Sequence, residues 1–184
     1  QLIRNINFIK RYSNIPICID TEGAQIRVKV KKEKKYKIGK TFKILQHKGN
    51  IRLYPEYVFN MLKNGDRLNL GFSNLVVKVK KKNNDEVVCK VISSGKIENN
   101  KGVHLENRKI NLKFLTKKDL QAIEIGRKLN IKYYALSFTN STSDIMKFNS
   151  LIKKETKIFK IETLSAIKNF KKMLKLGDNF LIDR

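Results

Sequence analysis

Beyond Lys109, short apolar runs alternate with amphipathic helical stretches, and no other feature of this chain narrows the choice of fold so far. Thr116-Lys117-Lys118-Asp119 has the form of a capping box and predicts a helix with Leu120, Ile123 and Leu129 on its apolar side. Ile131–Phe138 reads as a strand, residues 143–154 as a helix and Lys157–Glu162 as a second strand. A helix carrying Ala166, Ile167, Phe170 and Leu174 follows, then a strand over Asn179–Asp183. Such βαβαβ alternation implies a parallel sheet buried on both faces, because each crossover helix must pack back onto the strands it joins. The head of the chain has a compatible texture. Leu2, Ile3, Ile6 and Ile9 recur at helical spacing, and Pro16 then opens a short buried strand, Ile17-Cys18-Ile19, closed by Asp20.

Between these segments the texture differs. Thr41–Leu45, Arg67–Leu70, Leu75–Val79 and Val87–Ile92 are short β-branched stretches separated by Gly, Asn and Lys turns, which predicts a compact all-β barrel or sandwich. The expected organisation is α/β. Residues 1–27 and 110–184 form part of a TIM-type (β/α) barrel, and residues 28–109 form a small all-β domain inserted between a strand and the next helix. The predicted parallel strands end in polar residues, Asp20, Ser137, Glu162 and Asp183-Arg184. In β/α barrels the carboxyl ends of the strands build the active site, so these are the positions to read for chemistry.

With 41 Lys and Arg against 16 Asp and Glu, the formal charge is +25, which raises nucleic-acid binding as a rival reading. The excess is mostly lysine spread along the whole chain, and no RNA-recognition signature or zinc-finger spacing accompanies it, so specific nucleic-acid recognition is not expected. Anionic phosphometabolites would be drawn to such a surface. Cys18 and Cys89 each sit in an apolar run and read as buried free thiols, which suits a reducing, cytoplasmic setting. No stretch is long and apolar enough for a membrane span, and residues 1–10 lack the pattern of a signal peptide. Gly39-Lys40-Thr41 lacks the leading glycine of a phosphate loop, since Lys34 stands there. His47 and His104 have no partners at metal-ligand spacing, and Lys80-Lys81-Lys82 reads as a solvated hairpin tip.

Several motifs, taken in order, resemble the pyruvate kinase family. Ile17-Cys18-Ile19-Asp20-Thr21-Glu22-Gly23-Ala24-Gln25-Ile26-Arg27 is similar to the segment that leaves the family's barrel for its lid domain. Gly65-Asp66-Arg67-Leu68, Asp85–Val91 and Lys101-Gly102-Val103-His104-Leu105 resemble stretches within and leaving that lid. Leu115–Asp119, Ala135-Leu136-Ser137-Phe138, Lys160-Ile161-Glu162 and Phe180–Arg184 resemble the successive barrel segments after it. The resemblance spans nearly the whole chain.

It implies phosphoryl transfer between phosphoenolpyruvate and ADP, giving pyruvate and ATP, with Mg²⁺ (or Mn²⁺) and K⁺, in a full-length protein that is a homo-oligomer. By the same resemblance Lys160 is the catalytic lysine and Glu162 a divalent-metal ligand. Asp20 and Thr21 hold the monovalent cation, Arg27 and Lys101 lie near the nucleotide phosphates, and Ser137 is a substrate-site position. The residue types suit these roles. Alternate residues of a strand share a face, so Lys160 and Glu162 project together. Phosphoryl transfer needs charge neutralisation and positioning, which an ammonium and a metal-binding carboxylate supply. The family's second metal-binding Asp would follow Arg184, so this segment alone is expected to be inactive.

Departures bear on cation use and the lid. Glu22, Ala24 and Gln25 replace the usual Lys, Pro and acid, and Gly71-Phe72-Ser73 replaces an Asp-Asp-Gly turn. Asn140 stands where an Arg is usual, and His104 where an Asn is. A divergent, non-catalytic barrel that binds a phosphometabolite is therefore a second reading, and a basic nucleic-acid-binding domain a third.

Overall fold

The computed structural model describes residues 1–71 and 74–183; Phe72, Ser73 and Arg184, which belong to two of the sequence motifs named above, lie outside the described residues. In chain order the elements are α1 (Leu2–Tyr12), β1 (Cys18–Asp20), β2 (Ile26–Val30), β3 (Lys34–Tyr36), β4 (Thr41–Leu45), β5 (Ile51–Tyr54), α2 (Tyr57–Met61), β6 (Arg67–Leu70) and β7 (Val76–Lys82). They continue as β8 (Glu86–Ser93), β9 (Gly95–Ile97), β10 (Gly102–Leu105), α3 (Lys117–Lys128), β11 (Tyr133–Leu136), α4 (Thr142–Leu151), β12 (Thr156–Ile161), α5 (Leu164–Met173) and β13 (Phe180–Ile182). Two compact units result, Gln1–Ala24 with Lys113–Arg184, and Gln25–Leu112. The sequence texture drew these borders at 27/28 and 109/110. Arg27 falls in the second unit because it already pairs with Tyr54 and Gly102 in antiparallel ladders.

The first unit is a parallel sheet in the order β1-β11-β12-β13, carrying α1, α3, α4 and α5. Each helix that follows a strand opens on a Thr or Ser whose side-chain oxygen accepts a backbone N–H of the first turn: Thr116 from Asp119, Ser141 from Asp144, Thr163 from Ala166. These caps satisfy donors that would otherwise be orphaned at the strand-to-helix corners. The core beneath is Ile19, Leu115, Ile123, Tyr134, Leu136, Phe148, Phe159 and Met173, among others. Phe159 lies near both Phe148 and Phe180, at centroid distances of 6.0 and 5.7 Å.

The second unit is a seven-stranded antiparallel sheet in the order β4-β8-β7-β6-β10-β2-β5. Its two outermost strands are joined by residues 46–50, so the sheet curls into a nearly closed barrel. Alternate residues such as Val28, Ile44, Leu53, Leu68, Val77, Val87 and Cys89 fill its interior. β3 and β9 form a separate two-stranded ribbon. Asp66 is buried and accepts two 2.7 Å bonds from the Arg108 guanidinium, a bidentate pair that gives an interior carboxylate its counter-charge. Among the described residues no helix is long and apolar enough to cross a membrane.

The α/β plan with an all-β insert matches the sequence pattern, but several details differ. Cys18 is exposed rather than buried, because on the edge strand β1 the alternation buries Ile19 and leaves Cys18 and Asp20 on the opposite face. Cys89 is buried, and its thiol is pushed up to about 12 by burial. On α3 the buried line is Asp119, Ile123 and Gly126; Leu120, one position off it, is exposed. On α5 Ala166 and Met173 are buried while Ile167 and Leu174 point away, and on α1 only Ile6 is buried, with Ile3 and Ile9 exposed. The strand predicted to reach Phe138 stops at Leu136, because Phe138 takes a left-handed φ of 54°. Lys82 is not a solvated tip. Its ammonium donates to Asn60 O at 2.7 Å and Leu62 O at 2.9 Å.

Candidate functional site

Carboxylates at the carboxyl ends of three of the four parallel strands, β1, β12 and β13, converge on one ammonium. Lys160 lies near the end of β12 with its side chain 10% exposed, and its Nζ is 3.0 Å from Asp20 Oδ2 at the end of β1. It is 2.9 Å from Asp183 Oδ2 just past β13, and 3.9 Å from Glu162 Oε1 two residues along its own chain. The parallel register explains this, since Lys160 pairs with Leu181 and Ile161 with Ile182. Asp183 therefore leaves the sheet beside the side chains of β12. Phe159 and Ile161, on the alternate face, are buried in the core.

Burial alone would push the Lys160 ammonium down, but its hydrogen bonds to Asp183 and Asp20 outweigh that and hold it above the ordinary lysine value. Burial raises the Glu162 carboxyl, against the opposing pull of the Phe138 N–H and the Lys160 charge. Glu162 Oε2 accepts the Phe138 N–H at 2.6 Å, and Asn140 Nδ2 donates to Phe138 O at 2.7 Å. Both peptide groups of a strained, positive-φ residue are thus fixed by side chains at the strand ends.

Ser137 serves Asp20. Its Oγ donates to Asp20 Oδ1 at 2.9 Å, and its backbone N–H donates to Thr21 Oγ1 at 3.0 Å. Gly23, at φ 66°, passes so close to the Ser137 carbonyl that a side chain there would collide with it. The turn at residues 22–23 is held from α3: Asp119 Oδ1 accepts the Glu22 N–H at 2.7 Å and Oδ2 the Gly23 N–H at 3.3 Å. The same carboxylate completes the Thr116 capping box, accepting the Thr116 N–H at 2.7 Å.

Of the residues singled out in the sequence, Asp20, Thr21, Ser137, Lys160 and Glu162 meet in this cluster. Arg27 and Lys101 belong to the second unit, on and beside the adjoining strands β2 and β10. The Val28 N–H donates to Lys101 O at 2.9 Å, and Arg27 Nη1 donates to Asn100 O at 3.1 Å. Two participants escape the sequence pattern. Asp183 reads there only as a polar strand end, and Asp119 only as a helix cap.

The donor set bears on metal binding. Glu162 Oε2 is occupied by the Phe138 N–H, whereas Oε1, 3.9 Å from the ammonium, accepts no hydrogen bond among the described residues, so one hard oxygen is available to a divalent cation. Among the described residues no group of three or more His, Cys, Asp or Glu side chains is spaced to hold a metal ion. From the described residues a cation here would thus take one carboxylate oxygen, that of Glu162, which suits Mg²⁺, an ion that is commonly held by one or two carboxylates together with ligand oxygens and water. At Asp20 both oxygens already accept bonds, from Ser137 and Lys160, so a monovalent cation would share that carboxylate with the ammonium.

Comparison with known proteins agrees with this layout. Residues 2–184 match the family model described as "Pyruvate kinase, barrel domain". The pyruvate kinase of Staphylococcus epidermidis is 30% identical over 92% of this chain and 31% of its own length. That of Staphylococcus haemolyticus is 29% identical over the same shares, and that of Mycoplasma genitalium is 26% identical over 99% of this chain and 40% of its own length. The chain thus spans about a third of the length of the curated relatives it matches. With a family match over nearly every residue and strand ends that gather on one lysine, this chain belongs to the pyruvate kinase family.

Proposed function

We propose that this chain supplies the catalytic lysine of a pyruvate kinase-type phosphotransferase that moves a phosphoryl group between phosphoenolpyruvate and ADP. The observation that carries the reading is the buried Lys160 ammonium held at the mouth of a parallel sheet beside Glu162. Phosphoryl transfer gains most from fixed charge aimed at oxygens that become more negative in the transition state. An ammonium whose position is set by carboxylates on both flanking sides needs no reorganisation when such an oxygen arrives. Because Lys160 stays charged, it acts as an electrostatic anchor for a phosphoryl or enolate oxygen.

Glu162 Oε1 would hold a divalent cation, Mg²⁺ or Mn²⁺, which when bound neutralises phosphate charge. Glu162 Oε2 fixes the turn at Phe138, and Ser137 orients Asp20. K⁺ beside Asp20 and Thr21 is part of the same reading, as are nucleotide-phosphate contacts from Arg27 and Lys101 and a cytoplasmic homo-oligomer. The test is Lys160→Met in the full-length protein, assayed for ATP formation from phosphoenolpyruvate and ADP. Losing one preorganised charge should lower kcat by about 10²–10³ with the fold retained. Wild-type turnover by the variant, or none by the parent protein, would remove the assignment.

A further inference from the structure

The second unit carries a concavity that the phosphotransfer reading does not use. A cavity of about 240 Å³ opens between β2, the β4–β5 turn and the loop before β10, lined by Lys29, Lys31, Arg52, Asn50 and Asn99 and by the backbone around them. No Asp or Glu is among its lining residues. The register explains the clustering. β2 and β5 are antiparallel with Lys29 opposite Arg52, so the two cations stand side by side on the face opposite Val28 and Leu53.

The side-chain acceptors that line this cavity are already committed. Asn50 Oδ1 accepts the Lys32 N–H at 3.0 Å, and Asn50 O accepts the Lys31 N–H at 2.9 Å. Asn99 Oδ1 accepts the Val30 N–H at 3.0 Å. These bonds fix both asparagine amides with their oxygens spent on backbone, and their NH₂ groups donate to no acceptor among the described residues. Arg52 is steadied by a bond from Nη1 to His47 O at 3.0 Å, and Lys29 by Asn100 Oδ1 and the Tyr54 ring. The nearby Glu33 carboxylate is matched by Lys96 at 2.7 Å. What the wall offers is therefore donors and positive charge.

We propose that this cavity is an anion site that takes a phosphoryl group, from a free polyphosphate or from the phosphates of a nucleotide. Oxyanions with several acceptor oxygens and no donors complement such a wall, and a guanidinium beside ammonium groups is the pairing that binds phosphate most directly. The volume falls below the roughly 300–1,000 Å³ of pockets that enclose a whole drug-sized ligand, so it suits the phosphates alone. The site is separate from the one at Lys160 and stands whether or not the phosphotransferase reading does.

Site-resolved lysine acylation of the full-length protein, read by mass spectrometry, tests it. Pyrophosphate should slow acylation of Lys29 and Lys31 severalfold while leaving the exposed Lys35 and Lys37 unchanged. Arg52→Gln and, separately, the exposed-site change Lys31→Gln should weaken pyrophosphate binding by about tenfold, the scale of one charge-assisted hydrogen bond. ADP protecting where pyrophosphate does not would assign the phosphates of a nucleotide; pyrophosphate protecting by itself would assign the free anion. Lys160→Met should leave the protection intact. Uniform protection of all lysines, no protection by either ligand, or loss of protection in Lys160→Met would overturn the proposal.

Discussion

The Lys160 ammonium on β12 and the Asp183 carboxylate just past the adjacent parallel strand β13 lie 2.9 Å apart, with the lysine side chain only 10% exposed. Asp20 at 3.0 Å makes the second close contact, so one cation ties β12 to β13 on one side and reaches over β11 to β1 on the other. A charge this deep is tolerated only with partners, and breaking the set should show first in the titration of Lys160.

Asp183→Asn removes the nearer of the two charged partners. Because the folded Lys160 value is raised, the stability it contributes is complete below the unfolded lysine value of roughly 10.4 and is lost as pH climbs through the higher folded value. The variant should bring that loss to lower pH. Its Lys160 should also become reactive toward an amine-acylating reagent at a pH where the parent residue is still protected. Asp183→Glu should restore most of the protection, and identical reactivity profiles in parent and Asp183→Asn would show that the contact does not hold the proton.

Glu162 titrates with the same sign in a much lower pH window. A carboxyl whose folded value is raised keeps its proton more tightly when folded, so stability falls as pH rises from the unfolded value of roughly 4.3 through the folded one. Glu162→Gln keeps an oxygen for the Phe138 N–H and removes the ionisation. Urea midpoints measured between pH 4 and pH 7 should decline for the parent relative to this variant. Parallel curves would mean that burial does not raise the carboxyl against the opposing pull of the Phe138 N–H and the ammonium.

Asp119 binds two pieces of chain at once. It is 3% exposed, closes the Thr116 capping box and holds the Glu22 and Gly23 N–H groups 97 and 96 residues away in sequence. Asp119→Ala should cost about 2–4 kcal/mol, since it combines a lost cap with backbone donors left buried and unpaired. Thr116→Ala removes only the cap and should cost about 1 kcal/mol. Thermal unfolding of the two variants checks the difference; equal losses would confine Asp119 to its own helix.

How much of this was readable beforehand follows from the range of each interaction. The capping box is a four-residue pattern, and the pairing of Lys160 with Glu162 follows from the two-residue period of a strand, so both stand in the sequence. The strands of the second unit announce themselves as β-branched runs between turns, and β4 and β6 keep their predicted bounds. Asp183 could not be weighed as a partner of Lys160, because that contact depends on the register between β12 and β13. The second grip of Asp119 depends on where the chain returns after an insert of more than eighty residues. Helix faces were misjudged by one position at Leu120 and Ile167, where an apolar residue adjoins the buried line without belonging to it. The early end of β11 comes from the left-handed Phe138, a conformation that no apolar pattern encodes.

Asp66 supplies a test of the second unit alone. Its side chain is 2% exposed, its two oxygens take 2.7 Å bonds from Arg108, and Oδ2 also accepts the Lys63 N–H at 2.8 Å. The partners lie 42 residues apart, and Arg108 also donates to Met61 O on α2 at 2.6 Å. Arg108→Met keeps the length and apolar stem of the side chain but strands the carboxylate, which should cost about 3–5 kcal/mol. Adding Asp66→Asn removes the stranded charge, so the double variant should recover a large part of that loss even though it carries one more substitution. Urea unfolding of the single and double variants separates the two effects. If the double variant were the less stable by the sum of the single losses, the penalty would come from lost packing of the arginine stem and not from the uncompensated charge.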